Sequence, residues 1–235
     1  MIFDRTNNHD LRSFDYVLGG AETLPIVDRM WDPGLPVLDQ GQLGACTGFA
    51  AATVCATMPG LSATNRRRLA RNQMALSLYV LITAIDSTPG AYPQQDTGSD
   101  VNSALKAMRD LGWVGLYQWL PNARSVAGAV SHVGPVDMGT VWFSSMMDTK
   151  PVDGHAVVVV DEHSGGENQG HSWSIVGIEA ASPYPIIGKN SWGPNWGAGG
   201  YFRMSLDDLD KLIAAQGDAV VVQVEKSFDA AAGLV

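Results

Sequence analysis

Cys46 is the residue in this chain best placed to act as a nucleophile. It follows Leu38-Asp39-Gln40-Gly41-Gln42-Leu43-Gly44-Ala45, where Gly41 and Gly44 mark a tight loop. It also opens an Ala-rich segment that reads as a helix as far as Pro59-Gly60. A thiol at a helix N-terminus lies beside unpaired N–H groups and the positive end of the dipole. These lower its pKa from ~8.5 toward neutrality and favour the thiolate. The chemistry open to such a group is nucleophilic attack, and a nearby imidazolium would favour it further. His171 heads the apolar run that continues through Trp173, Ile175 and Val176. A third stretch, Gly188 to Tyr201, carries Asn190, Trp192, Trp196 and five glycines in fourteen residues. Large aromatics beside glycines predict a shaped surface rather than core packing. Singly, a cysteine is more often an inert core residue and a histidine a satisfied core or loop residue; their combination carries the argument.

The elements that must position these residues change character along the chain. Residues 1–35 read as an extended arm closing at the Asp32-Pro33-Gly34 turn. Helices are predicted over Cys46–Met58, about Thr64–Asp86, about Asp100–Leu111 and about Pro121–His132. The second has Met74, Leu76, Tyr79, Leu81 and Ile82 as its buried set, and the third has Val101, Leu105 and Met108 on one face. Short β-prone runs follow at Val136–Phe143, Ala156–Asp161, Trp173–Ile178 and Ile186–Lys189. A late helix at Leu206–Ala215 precedes a strand at Ala219–Val224. Helices first and strands second predict an α+β protein of two lobes with a cleft between them. The lobes divide at about 36–133 and 134–225, and 226–235 form a small apolar tail.

Composition narrows the function. Of 235 residues, 46% are hydrophobic and 17% charged, enough apolar content to bury a sizeable core. A net charge of -9 repels phosphate backbones and argues against a nucleic-acid partner. Arg66, Arg67, Arg68 and Arg71 form one short basic cluster, read as a solvated helix start. The two cysteines, Cys46 and Cys55, lie nine residues apart on one predicted helix. They therefore sit on opposite faces about 13 Å apart along the axis, too far for a disulfide. No stretch reads as a signal peptide or a membrane span, which predicts a cytoplasmic protein, not exported by the usual route, with no membrane partner. No Cys/His cluster has zinc spacing and no glycine-rich run has a phosphate-loop continuation, so neither metal nor cofactor is expected.

Taken together, the Cys, His and Asn stretches resemble the papain-like (C1-type) family of cysteine peptidases. Asn190-Ser191-Trp192-Gly193, Trp196-Gly197 and Gly200-Tyr201 are similar to that family's asparagine motif, and Gln40 precedes Cys46 by six residues like its oxyanion glutamine. His171 and Asn190 lie 125 and 144 residues after Cys46, at or near the family's window of ~130–150. The resemblance implies a papain-like two-lobe fold, a helical N-terminal lobe and an antiparallel β-rich C-terminal lobe. It implies Cys46 as thiolate nucleophile paired with protonated His171, Asn190 as orienting residue, and Gln40 with the Cys46 N–H as oxyanion donors. Trp192 would shield the His–Asn bond, and Thr47, Gly44 and Gly170 would line the cleft. The substrate would be a polypeptide. His155, His163 and His132 have weaker context; His155 in particular lies 35 residues from Asn190, against 19 for His171.

Four features depart from the family. Thr47 replaces its usual tryptophan, Leu43 replaces a cysteine, and Gly170 stands where relatives carry Asp or Asn. The segment before Cys46 is too short for the family's inhibitory prodomain, although 1–35 could itself block the groove. The Asp39–Thr47 wording and Gly139–Phe143 resemble a bacterial and bacteriophage branch. Beside the active cysteine endopeptidase stand two alternatives. One is a weak or inactive structural or binding component associated with a phage or other assembly; the other is a hydrolase of peptidoglycan cross-links.

Overall fold

Small residues let the first helix become the axis of the fold. In the computed structural model, which describes residues 5–6, 15–164 and 169–224, α1 spans Cys46–Thr57 and every one of its residues is buried. A Cβ added at Gly48 would lie 2.7 Å from the Ala75 carbonyl oxygen and from Tyr79 Cβ. The neighbouring helix therefore packs against α1 almost backbone to backbone.

That neighbour is half of the element predicted over Thr64–Asp86. The segment is two helices, α2 (Ala63–Leu69) and α3 (Asn72–Ile85), broken at Ala70 and at Arg71, whose φ of -134° and ψ of 139° are extended. No glycine or proline marks the break. Packing imposes it, since Leu69 and Ala70 are buried with the helical core while α3 turns Ala75, Leu78, Tyr79 and Ile82 inward. Leu81 falls off that helical face and is 43% exposed, so it does not belong to the buried set; Met74 and Leu76 are only partly buried. The next helices, α4 (Val101–Asp110) and α5 (Ala123–His132), are capped by Asp100 and Asn122, whose side chains accept from Ser103 N and Ser125 N. Val101, Leu105 and Met108 are buried as their spacing predicts.

Among the described residues the strands are β1 (Arg29–Met30), β2 (Val114–Trp119), β3 (Val136–Trp142), β4 (Lys150–Val152), β5 (His155–Val157), β6 (Gln169–Ile178), β7 (Ile186–Lys189), β8 (Tyr201–Met204) and β9 (Asp218–Val224), with α6 (Leu206–Ala214) before the last. They form one sheet in the order β2-β9-β3-β6-β7-β8-β5-β4, with β1 also on β6. All pairings are antiparallel except β5 with β8. The α+β class is as the sequence predicts. Strand β6 starts four residues earlier than expected, so His171 lies inside it rather than ahead of it. The Ala156–Asp161 run is strand only through Val157. The apolar tail lies outside the described residues.

Two hydrophobic cores interlock across the predicted lobe border. The larger gathers Trp142, Trp173, Trp192, Trp196 and Phe202 from the sheet side, yet it also takes Ala123, Val126, Ala127 and Val130 of α5. The second gathers α1, α2, α4 and, from β2, Val114 and Trp119, yet it takes Val220 and Val222 of β9 from across the border. The arm fastens the two. Leu18 N donates to the Trp119 carbonyl, β1 pairs with β6, and Trp31 Nε1 donates to the Val130 carbonyl at 2.7 Å.

Candidate active site

Asn190 follows directly on a buried ion pair. Lys189, the last residue of β7, donates through Nζ to Asp32 Oδ2 at 2.6 Å and to the Leu35 carbonyl at 2.9 Å. Tyr201 Oη donates to the same carboxylate oxygen at 2.7 Å, while Asp32 Oδ1 accepts from Gly34 N and Leu35 N. Burial pushes the Asp32 pKa up, but Lys189 and these donors outweigh it and hold the carboxyl below its ordinary value. The arm's Asp32-Pro33-Gly34 turn is thus locked onto β7 and β8 one residue before Asn190, whose own N–H donates to the Gly200 carbonyl.

The loop beyond Asn190 is sewn to the loop before Cys46. Gln40 N donates to the Ser191 carbonyl, Gly193 N to the Leu38 carbonyl, and Asp39 bridges Trp192 in antiparallel fashion. Gly193, at φ 74°, passes so close to Asp39 that a Cβ would lie 2.9 Å from its carboxylate. Ser191 Oγ donates to Gln40 Oε1 at 2.7 Å, and Gln40 Nε2 donates to the Leu43 carbonyl at 2.8 Å. One amide N–H of Gln40 is committed to its own loop, which fixes the plane of the other.

His171 Nε2 lies 2.8 Å from Asn190 Oδ1, which also accepts from Ser191 N at 2.8 Å. A backbone N–H can only donate, so the atom it meets is an acceptor and Nε2 must carry the imidazole proton. The basic lone pair of a neutral ring is then on Nδ1. The imidazole is fully buried, with Trp192 tilted over it at 4.7 Å between centroids and the edge of Trp142 at 4.9 Å. Burial pushes its pKa down to about 4, against the opposing effect of the Asn190 bond. The sequence reading pairs a thiolate with protonated His171; in this closed arrangement desolvation instead favours the neutral base.

Cys46 is the first residue of α1, which lies on β6, with Ser174 Oγ donating to the Ala50 carbonyl at 3.2 Å. Ala45, at the cap position, supplies no side-chain acceptor, so the positive end of the helix dipole is at Cys46. At the other end of α1, Cys55 faces Met108 Sδ at 3.1 Å, and burial, with the nearby Asp137, drives its thiol pKa far up. Neither Cys46 nor Cys55 is in a disulfide.

The structure joins Gln40, Ser191, Asn190, His171 and Trp192 in one hydrogen-bonded and stacked unit. Its surroundings differ from the sequence reading in three places. Trp192 and Trp196 are each 8% exposed and pack in the larger core around Trp142, so this stretch is core packing after all. The glycines there serve backbone conformation, with positive φ at 193, 197, 199 and 200. Thr47 and Gly44 are buried rather than open cleft wall, and Gly44 N is tied to Asp96 Oδ2 at 2.8 Å. Gly170 is covered by Arg5, whose N–H donates to its carbonyl at 3.1 Å. Sequence reasoning passed over Asp32, Lys189 and Ser191; a lysine buried between an apolar strand and Asn190 was the available signal. Of the other histidines, His155 is on β5, His132 Nε2 meets the Pro25 carbonyl, and the His163 side chain is 96% exposed. Among the described residues no group of His, Cys, Asp and Glu could hold a metal ion, and no helix is long and apolar enough to cross a membrane.

A thiol at a helix start, an oriented imidazole and an amide-lined loop on this fold define the class. A family model described as papain family cysteine protease matches residues 83–217, and the chain belongs to that family. The matched span contains His171 and Asn190 and begins after Cys46. The chain is similar to a cathepsin L-like proteinase of Phaedon cochleariae, 25% identical over 224 residues covering 86% of this chain and 66% of that protein. It is similar to cathepsin K of Mus musculus, 27% identical over 195 residues covering 71% of this chain and 54% of that protein. The chain thus spans less than two thirds of the length of these curated relatives. Among solved structures, xylellain, a cysteine protease from Xylella fastidiosa, shares the fold with a TM-score of 0.69 at 15% identity, covering 94% of this chain and 96% of that one.

Proposed function

We propose that the protein is a cysteine endopeptidase that cleaves polypeptides through a Cys46 thiolate and an acyl-enzyme. The observation that carries this reading is the His171–Asn190 bond, which fixes the tautomer that leaves Nδ1 as proton acceptor. Nδ1 takes the Cys46 proton, and the thiolate attacks the peptide carbonyl, forming a C–S bond. His171 then returns the proton to the leaving amine as the C–N bond breaks. Water, deprotonated by the same nitrogen, attacks the thioester, and Cys46 departs as thiolate. The oxyanion is met by the Cys46 N–H and the remaining Gln40 amide N–H, each such donor typically worth about 3–4 kcal/mol of barrier. No cofactor is needed for these steps. The Asp39–Thr47 wording supports a bacterial or bacteriophage setting for the activity.

A second reading, a weak or inactive structural component of a phage or other assembly, is favoured by one observation: Cys46 and His171 are both 0% exposed. Digestion of a denatured-protein peptide library separates the two. Endopeptidase activity requires cleavage by the unmodified protein and none by Cys46→Ala; equal absence of cleavage supports the binding role.

A further inference from the structure

The peptide group joining Leu43 to Gly44, just ahead of Cys46, is gripped at both ends. Its carbonyl accepts from Gln40 Nε2 at 2.8 Å, and its N–H donates to Asp96 Oδ2 at 2.8 Å. A peptide group is planar, so holding its oxygen and its nitrogen together fixes the tilt of the whole plane. The Gln40 amide rests on that oxygen. The pose of its remaining N–H, the one offered to the oxyanion, therefore depends on a carboxylate that arrives from the loop between α3 and α4.

Asp96 is in turn aimed by Tyr79 of α3. The phenol donates to Asp96 Oδ1 at 2.6 Å and accepts from Gly98 N at 2.9 Å, so the loop closes around one hydroxyl. Tyr79 is fully buried, in a small core that also holds Leu38, Ala45 and Phe49. A Cβ at Gly48 would lie 2.7 Å from Tyr79 Cβ, so the tyrosine stands directly against α1, the helix that carries Cys46. Burial and Asp96 push the phenol pKa far above its ordinary value, which keeps it a donor.

The carboxylate is spent on these contacts alone. Asp96 is exposed, and among the described residues no cation pairs with it. Each of its oxygens instead takes one donor from a different element, and hydrogen bonds to an ionised acceptor are the stronger kind. On the far side, Gln40 Oε1 accepts from Ser191 Oγ at 2.7 Å. The glutamine amide is thus clamped between the loop that carries Asn190 and the loop that carries Asp96.

We infer that Asp96, aimed by Tyr79, is a positioning residue of the oxyanion hole, holding the Leu43–Gly44 peptide so that the free Gln40 N–H points where charge develops on the substrate carbonyl. The inference rests on the endopeptidase reading. Asp96 touches no reacting atom and acts only through Gln40. What the position requires is an acceptor for the Gly44 N–H rather than a charge.

The test measures kcat and KM of the full chain on a peptide cleaved in the library digest. Asp96→Ala should lower kcat by about 10- to 100-fold with KM within about threefold, the scale of a misplaced group that stabilises only the transition state. Asp96→Asn should recover most of that loss, because its Oδ1 can accept from Gly44 N and its Nδ2 can donate to Tyr79 Oη. In a Gln40→Ala background, Asp96→Ala should cost nothing further. Should Asp96→Ala fail to fold, Tyr79→Phe keeps the ring, removes the hydroxyl and carries the same comparisons at a several-fold effect. A loss that persists without Gln40, that falls on KM, or that Asp96→Asn does not relieve overturns the positioning role and leaves the endopeptidase standing. Absence of cleavage by the unmodified protein overturns the endopeptidase, and NMR of the Gln40 side-chain amide then decides the coupling. Signals displaced by Asp96→Ala uphold it; signals left in place overturn it.

Discussion

The two ends of α1 hold the two cysteines of the chain, equally buried and on the same helix, in opposite chemical settings. Cys55 ends in an apolar core against Met108, near Asp137, where its thiolate is strongly disfavoured. Cys46 opens the helix at the positive end of its dipole, behind a loop held by Gln40 and stitched through Ser191 to the His171–Asn190 pair. Burial alone therefore says nothing about reactivity. What differs is the field at the sulfur and the presence of a base held in a fixed tautomer.

The largest way to break this contrast is to exchange the roles of the thiols. Cys46→Ser should lower kcat/KM by about 10⁴-fold or more, as removal of a nucleophile does, while Cys55→Ser should leave turnover within a few-fold and instead lower the urea midpoint. The next effect comes from the anchor behind Asn190. Lys189→Ala strips a buried carboxylate of its partner and should cost about 3–5 kcal/mol of stability, read by denaturant unfolding, whereas Lys189→Met with Asp32→Leu should recover much of it.

Acid sharpens the contrast from the side of His171. Its folded pKa of about 4 lies below the ordinary 6.5, so the unfolded state binds the proton first. The stability it contributes is present above pH 6.5 and lost as pH falls toward 4, about 3 kcal/mol in all. His171→Gln should flatten that part of the pH–stability profile; an unchanged acid slope would show that burial does not hold the imidazole neutral. The smallest effect concerns orientation. Asn190→Ala should reduce kcat by roughly tenfold to a hundredfold with little change in KM, because it releases the ring without removing it.

Much of this was legible in the chain. The Cys46 helix and its stop at Pro59-Gly60, the α4 face and the pairing of His171 with Asn190 follow from local pattern and motif spacing. The α2–α3 break was not, because the run from Ala63 to Ile85 has unbroken helical propensity and only packing bends it at Ala70–Arg71. Strands β1, β2, β4 and β8 were missed: β1 and β4 are only two and three residues long, β8 follows directly on the glycines at 199 and 200, and β2 pairs with β9 at the far end of the chain. Trp192 and Trp196 were misread as surface, since nothing local shows that Trp142 of β3 packs against both. Arg5 and Asp218 meet across 213 residues, beyond any periodicity.

The most direct test of the account is competitive alkylation of the two thiols in one folded protein. With iodoacetamide at pH 6 and peptide mass spectrometry, Cys46 should label at least about 100-fold faster than Cys55, and His171→Gln should erase most of that advantage. Equal rates at the two cysteines, or an advantage indifferent to His171, would contradict it.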